Sequence, residues 1–210
     1  MPPHEEHANP RGPGAAQPEF ATDVKDALLR LLAEQSETML SHLALVAELS
    51  TTTAMNLGLS AQEVALTRLG AELHDVGKVG IPASILEKPG PLDAHEEWFV
   101  QRHSEIGERL LEATPALNAI APIVRAVHER VDGKGYPDGL SHHEIPISSR
   151  IIAVVDAFCA MTRDQPYQRA VSPTRALAEL HSHAGSQFDS AVVEAFAAAL
   201  AQQLEPPLAA

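Results

Sequence analysis

The sequence predicts an all-α fold, and three observations carry that reading. Ala and Leu are abundant while aromatic residues make up only 4% of the chain, a composition that favours helices. Apolar residues recur at helical spacing along most of its length, and no stretch alternates as a half-buried strand does. Two capping boxes, Ser60 with Glu63 and Asp93 with Glu96, mark helix starts.

With 210 residues, 45% of them apolar, the chain is long enough for one sizeable domain with a continuous core. We expect a single helical domain of about seven or more helices over residues 22–205. A disordered tail is expected at 1–21, where Pro, Gly and polar residues leave almost nothing to bury. His4 and His7 in that stretch are expected to be solvated.

The helical pattern starts at Asp23 and runs through Leu28, Leu31, Leu32, Met39, Leu43, Val46 and Leu49 until Asn56-Leu57-Gly58-Leu59 breaks it. Ser60 opens the next helix, which carries Val64, Leu66 and Leu69 and ends around His74–Lys78, where Gly77, Gly80 and Pro82 stop it. From Asp93 one helix is predicted through Trp98, Phe99, His103, Ile106, Leu110 and Leu111, and another from Ala116 to Arg130. Residues 132–139, Asp-Gly-Lys-Gly-Tyr-Pro-Asp-Gly, are a dense loop signal. Ile147 to Thr162 is apolar on nearly every side and predicts a central buried helix. Helices at 172–183 and 189–203 complete the domain.

A formal charge of -13 excludes a general DNA-binding surface, since phosphate-tracking proteins carry the opposite sign. A small phosphate ligand remains compatible with it, because a bound metal supplies positive charge locally. The single cysteine, Cys159, rules out a disulfide within one chain and a cysteine-based zinc site; in its apolar run it reads as a small buried hydrophobe. The first residues are Pro-rich and acidic, unlike a secretory signal, and no apolar stretch reaches bilayer length. The expectation is a cytoplasmic protein that does not bind membrane.

The residues that carry chemistry are histidines and aspartates. His74 and Asp75 are adjacent, so on a helix they point about 100° apart and can grip one ion from neighbouring directions, with Lys78 one turn on. Asp156 sits in Ile151-Ile152-Ala153-Val154-Val155-Asp156-Ala157-Phe158. An unpaired carboxylate buried there costs several kcal/mol, so it must bind a metal or pair with a group such as Arg150. His42, His103 and His128 each occupy helical positions among apolar residues, where a single histidine is more often a satisfied core residue. Together these residues form an imidazole and carboxylate set without thiol, which suits iron, manganese or zinc.

Two strings extend the reading. His74-Asp75-Val76-Gly77-Lys78-Val79-Gly80-Ile81-Pro82, and His128-Glu129-Arg130-Val131-Asp132-Gly133-Lys134-Gly135-Tyr136-Pro137-Asp138-Gly139-Leu140, strongly resemble the HD-GYP domain, an all-helical phosphodiesterase of the HD superfamily acting on cyclic di-GMP. The segments Arg150–Phe158 and Gly185-Ser186-Gln187-Phe188-Asp189 are similar to later parts of that family, so the resemblance covers about residues 36–200.

The resemblance implies a divalent metal centre of one or two ions, iron or manganese first, with zinc or magnesium as alternatives. His42, His74, Asp75 and Asp156 match the ligands common to HD phosphohydrolases. His103 and His128 match second-ion ligands, with Asp75 bridging. Asp75 and Lys78 are the implied catalytic residues. Lys78, Asp132, Gly133, Gly135, Tyr136, Pro137, Arg163 and Arg169 are the implied substrate contacts, for a cyclic dinucleotide or other small phosphoester. Signalling proteins are implied as further partners. A homodimer through residues 23–40 is implied as well, although packing within the chain explains their apolar positions equally.

Five positions, in four segments of the chain, depart from the family pattern. Val127 stands where a second consecutive histidine is usual. Thr38 stands where three-metal members carry Glu, with Glu34 and Glu37 out of register. Gln165 and Gln168 replace arginines, and a Gln cannot bind phosphate bidentately as Arg does. Cys159 replaces an acidic residue. Three readings therefore stand: a cyclic dinucleotide phosphodiesterase, a one-metal HD hydrolase on another phosphoester, and a catalytically silent domain binding a nucleotide or a partner.

Overall fold

The apolar run that starts at Asp23 becomes two helices in the computed structural model, which describes residues 18–35, 38–164 and 169–204. Most of the expected tail, Glu37 and the Gln165–Gln168 segment lie outside the described residues. Helix α1 (Pro18–Gln35) takes in residues 18–21, which the sequence placed in the tail. Helix α2 spans Met39–Asn56 and ends where the Asn-Leu-Gly break was expected.

Both capping boxes form as predicted. Ser60 accepts from the Glu63 N–H while Glu63 accepts from the Ser60 N–H, opening α3 (Ala61–Leu73). Asp93 and Glu96 do the same for α5 (Ala94–Gln101), after the single turn α4 (Ala83–Leu86). The chain continues through α6 (His103–Glu112), α7 (Ala121–Arg125), α8 (Ile147–Met161), α9 (Pro173–Ser182) and α10 (Ser190–Leu204). Short 3-10 turns lie at Val76–Gly80, Asn118–Ile120 and His142–Glu144. Among the described residues there is no strand, only isolated bridges between Asp132 and Ser141 and between Ala184 and Phe188. No described helix is long and apolar enough to cross a membrane.

Two predicted helices are corrected. The helix from Asp93 through Leu111 breaks at Arg102 into α5 and α6. The Val100 carbonyl at the break accepts from a main-chain N–H and also from Nδ1 of His103 at 2.6 Å, so the ring turns back onto the end of α5. The helix predicted over 116–130 is only a 3-10 turn followed by five residues of α7. Beyond it the backbone bonds outward: Tyr136 N–H reaches the His128 carbonyl, Val131 N–H that of Gln187 and Asp132 N–H that of Ser186. Tertiary partners replace helical ones there, and the loop folds back across residues 128–130.

The core forms where α2, α3 and α8 meet, closed by α9 and α10. Leu43, Val46, Leu73, Ile151, Ile152, Val155, Leu180 and Phe196 are fully or almost fully buried in it, each contributing about 1.5–3 kcal/mol relative to exposure. A small second cluster of Ala126, Val131 and Ile145, with Leu140 against it, anchors the loop at 132–140. The six expected His and Asp ligands come from five segments around one end of this core.

Candidate metal centre

His42 projects from the middle of α2, His74 caps the C-terminus of α3, and Asp75 opens the 3-10 turn that follows. Asp156 comes from α8, His103 from the first position of α6, and His128 from the segment after α7. The fold gathers them into two adjoining groups. His42, His74 and Asp156 each offer a donor atom within 4.8 Å of the others, and so do Asp75, His103 and His128.

The spacings are short. His42 Nε2 lies 3.0 Å from Asp156 Oδ1, and His74 Nε2 lies 3.6 Å from both Asp75 Oδ2 and Asp156 Oδ1. His103 Nε2 is 3.0 Å from His128 Nε2 and 3.7 Å from Asp75 Oδ1. Metal–nitrogen and metal–oxygen bonds of about 2.1 Å place neighbouring donors roughly 3.0–3.4 Å apart, so the two groups are close to the size an ion requires.

Orientation tests the fit more sharply. His74 Nδ1 lies 2.8 Å from the Ala71 carbonyl, which can only accept, so Nδ1 carries a proton. Nε2 of the same ring is buried with no hydrogen-bond partner and faces two carboxylate oxygens. Facing two anions, this nitrogen calls for a positive charge, a proton or a metal ion, and an imidazole held by a carbonyl on its other nitrogen is the usual posture of a metal ligand. His103 is held the same way by Val100. These residues fit a divalent ion.

The electrostatics agree. Burial opposes charge on His74, but the Asp75 and Asp156 carboxylates outweigh it and raise its pKa to about 9; a cation is what this position attracts. Burial, and then the neighbouring His103, push His128 down to about 3, and burial lowers His103 as well. Both rings are thus neutral at pH 7, the form that coordinates metal. Burial works against ionised Asp75, yet Lys78 and His74 hold it well below the usual carboxylate range. Asp156 is likewise lowered, burial being outweighed by His42 and His74. Its side chain is 24% exposed, less enclosed than the sequence predicted, and opens onto a cavity.

Lys78 donates to Asp75 Oδ2 at 2.6 Å, and burial of its ammonium is more than offset by that carboxylate, so its pKa rises. The alternative partner for Asp156, Arg150, is engaged elsewhere, with Asp189 and the Ile145 carbonyl. Cys159 is buried, and burial followed by Asp156 pushes its thiol up to about 12, the inert hydrophobe expected.

The loop at 132–140 borders the second group. Tyr136 stacks on His128, with ring centroids 5.1 Å apart and planes 15° apart, and the Tyr136–Pro137 peptide is cis. Gly135 runs against residues 128–130, where a Cβ would meet Glu129 Cα at 2.4 Å. Asp132 pairs with Arg130, and Gly133 N–H bonds the Arg130 carbonyl. Both shape the loop. Arg163 donates to the Thr38 carbonyl at 3.3 Å, while Arg169 is exposed. Val127 is 1% exposed and lines a cavity of about 260 Å3 together with His128, Tyr136 and Asp156.

One residue was missed. Buried Glu129 accepts from the N–H groups of Asp138 at 2.7 Å, Gly139 at 3.1 Å and Leu140 at 3.0 Å, fastening the loop beside His128. Only its place next to His128 hinted at this, because the partners are backbone groups nine to eleven residues away.

Residues 26–192 match the HD domain as a family. The chain is 42% identical over 166 residues to the cyclic di-GMP phosphodiesterase response regulator RpfG of Xanthomonas campestris, covering 78% of this chain and 42% of that protein. It is 40% identical over 189 residues to a cyclic di-GMP phosphodiesterase of Thermotoga maritima, covering 85% and 51%. A 3'3'-cGAMP-specific phosphodiesterase of Vibrio cholerae is 40% identical over 139 residues, covering 65% and 27%. The chain thus spans about half, or less, of the length of these relatives.

Among solved structures, Bd1817, a HDG"Y"P protein from Bdellovibrio bacteriovorus, superposes with a TM-score of 0.66 at 17% identity, covering 87% of this chain and 64% of that one. The PgpH HD domain of L. monocytogenes in complex with cyclic-di-AMP gives 0.62 at 17% identity, covering 88% and 100%. At such identities the superpositions establish the fold, all-helical as the sequence predicted. Since the matched span contains all six of the clustered His and Asp residues, the chain belongs to the HD domain family.

Proposed function

We propose that this chain is a metal-dependent phosphodiesterase that opens cyclic di-GMP or a related cyclic dinucleotide to a linear product. The observation that carries this is the buried, unpartnered Nε2 of His74 facing Asp75 and Asp156, beside a second His-Asp group. Relatives over most of this chain bear the names of cyclic dinucleotide phosphodiesterases. His42, His74, Asp75 and Asp156 would hold a first ion, and Asp75, His103 and His128 a second, iron or manganese fitting the nitrogen and oxygen donors.

Bound divalent ions supply Lewis acidity there, polarising phosphoryl oxygens and acidifying water. The chain's own residues do the rest. Asp75, ionised and fixed by Lys78, orients the donors of both groups. Lys78 places an ammonium at the edge of the site, where it would hydrogen-bond a phosphate oxygen. Tyr136, backed by His128, forms one wall of the cavity, on a loop shaped by Asp132, Gly133, Gly135 and Pro137. Arg163, whose charge is felt at Lys78, would attract the anionic substrate, and the exposed Arg169 would add to that attraction. A homodimer through residues 23–40 is part of the same reading, with Leu31 and Leu40 exposed there.

Two measurements test this: bound metal per chain, and release of linear dinucleotide with added manganese or iron. Two ions and linear product are expected, both strongly reduced in His74→Ala and Asp75→Ala. Full metal content and full turnover in those variants would overturn the assignment. Val127, an apolar group in the cavity wall, favours a second reading: one tightly held ion and either a different phosphoester or binding without turnover.

A further inference from the structure

Beside the loop lies a cleft of about 480 Å3 lined by Trp98, Gln101, Arg102, Glu105, Tyr136 and Pro137. Its volume is in the range of small-ligand sites. It touches the metal-ligand cluster at two points: Arg102 precedes His103 in the chain, and Tyr136 stacks on His128. Trp98 is 49% exposed, with His95 stacked beside it at 6.2 Å and Phe99 edge-on at 5.3 Å.

The Arg102 guanidinium lies 5.1 Å from the Trp98 ring centroid, and its Nε is 2.6 Å from Glu105 Oε2. That ion pair sets the Glu105 carboxylate beside the Arg102 charge at the wall of the cleft. The cleft thus combines two aromatic surfaces, a cation and an oriented acceptor next to a phosphate-type site.

We infer that this cleft is the subsite for one nucleobase of the substrate, stacking a purine on Trp98 and Tyr136 and selecting guanine over adenine through Glu105. The inference rests on the proposed action on cyclic dinucleotides, which would place a phosphate at the metal centre and a base a short reach away. Stacking on aromatic side chains accepts any base, so selection must come from the edge. An ionised carboxylate only accepts hydrogen bonds. Guanine offers it the N1–H and N2–H2 donors side by side, whereas adenine presents a bare N1 beside its single amino group.

The sequence contains one tryptophan, so its fluorescence reports on this cleft alone. The metal-loaded chain is titrated with phosphorothioate analogues of cyclic di-GMP and cyclic di-AMP, and binding is followed in parallel by calorimetry. Saturable quenching of Trp98 by the guanine analogue is expected. Trp98→Ala should weaken binding roughly five- to hundredfold, the usual worth of one stacked base, while Trp98→Phe retains most affinity and both keep full metal content. Glu105→Gln should reduce the guanine preference by a similar factor.

Calorimetric binding with unchanged Trp98 fluorescence and unchanged affinity in Trp98→Ala would overturn the subsite while leaving the phosphodiesterase reading intact. Equal affinity for the two analogues in the unaltered chain would overturn the role of Glu105. Absence of binding and of turnover for every cyclic dinucleotide would sink the functional reading and the subsite with it.

Discussion

Gly77 lies against the main chain of His103, so close that a Cβ on Gly77 would sit 1.8 Å from the His103 carbonyl oxygen and 2.6 Å from the Gly107 nitrogen. This contact seats the turn carrying Asp75 and Lys78 on α6 and brings Asp75 to within 3.7 Å of His103 Nε2. A side chain cannot be accommodated, because the obstacle is backbone. Gly77→Ala is expected to cost about 3 kcal/mol and to lower metal content by separating the two ligand groups. Urea unfolding and metal analysis of the purified variant check both effects; wild-type values for each would refute the contact's importance.

Glu129 offers a second test. Its carboxylate satisfies three loop N–H groups, and Gln in its place turns one acceptor into a donor facing donors. Glu129→Gln should destabilise the chain by about 2–3 kcal/mol. Trypsin should then cut more readily at Arg130 and Lys134, the basic residues flanking the fastened loop. Unaltered cleavage at these bonds would show that the loop holds without Glu129.

The pairing of Arg150 on α8 with Asp189 ahead of α10 predicts a pH dependence. Burial disfavours the ionised Asp189, but Arg150 together with the Ala191 and Val192 N–H groups outweighs it and lowers the pKa below the ordinary 3.8. The sign follows from the lowered value: the stabilisation is present above pH 3.8 and is lost as pH falls through the folded-state value. Asp189→Asn should cost about 1–2 kcal/mol at pH 7, with the difference between the two proteins shrinking as pH falls below the ordinary aspartate value and through the lowered one. A constant difference across that range would argue against the ion pair.

Val127 is the departure from the family pattern that the structure makes most testable. It lines the same cavity as His128 and Asp156, so Val127→His would add an imidazole to the wall beside both ligand groups. Tighter retention of a second ion on dialysis is expected, together with a stability loss of about 1–3 kcal/mol from placing a larger polar ring in a packed position. Unchanged ion retention would mean that the existing Asp75, His103 and His128 already set the second affinity.

Much of this protein was legible from the sequence alone, since the decisive signals were local. Helical periodicity, the two capping boxes and the apolar run of α8 specify their elements without reference to distant residues. The His and Asp candidates stood out because polar groups within apolar helices need partners, and the string around Tyr136 is distinctive in itself. Tertiary contacts decided the remainder. The break between α5 and α6 falls where the Arg102 N–H bonds the Phe99 carbonyl three residues back and the His103 ring turns onto the Val100 carbonyl. The length of α7 depends on residues 128–132 giving their main-chain groups to the loop and to residues 186–187. Glu129 became a clasp, and Trp98 with Arg102 a wall of a cleft, only through segments brought alongside in space. A sequence displays periodicity and residue chemistry, but which backbone groups a side chain will face is settled by how the helices pack.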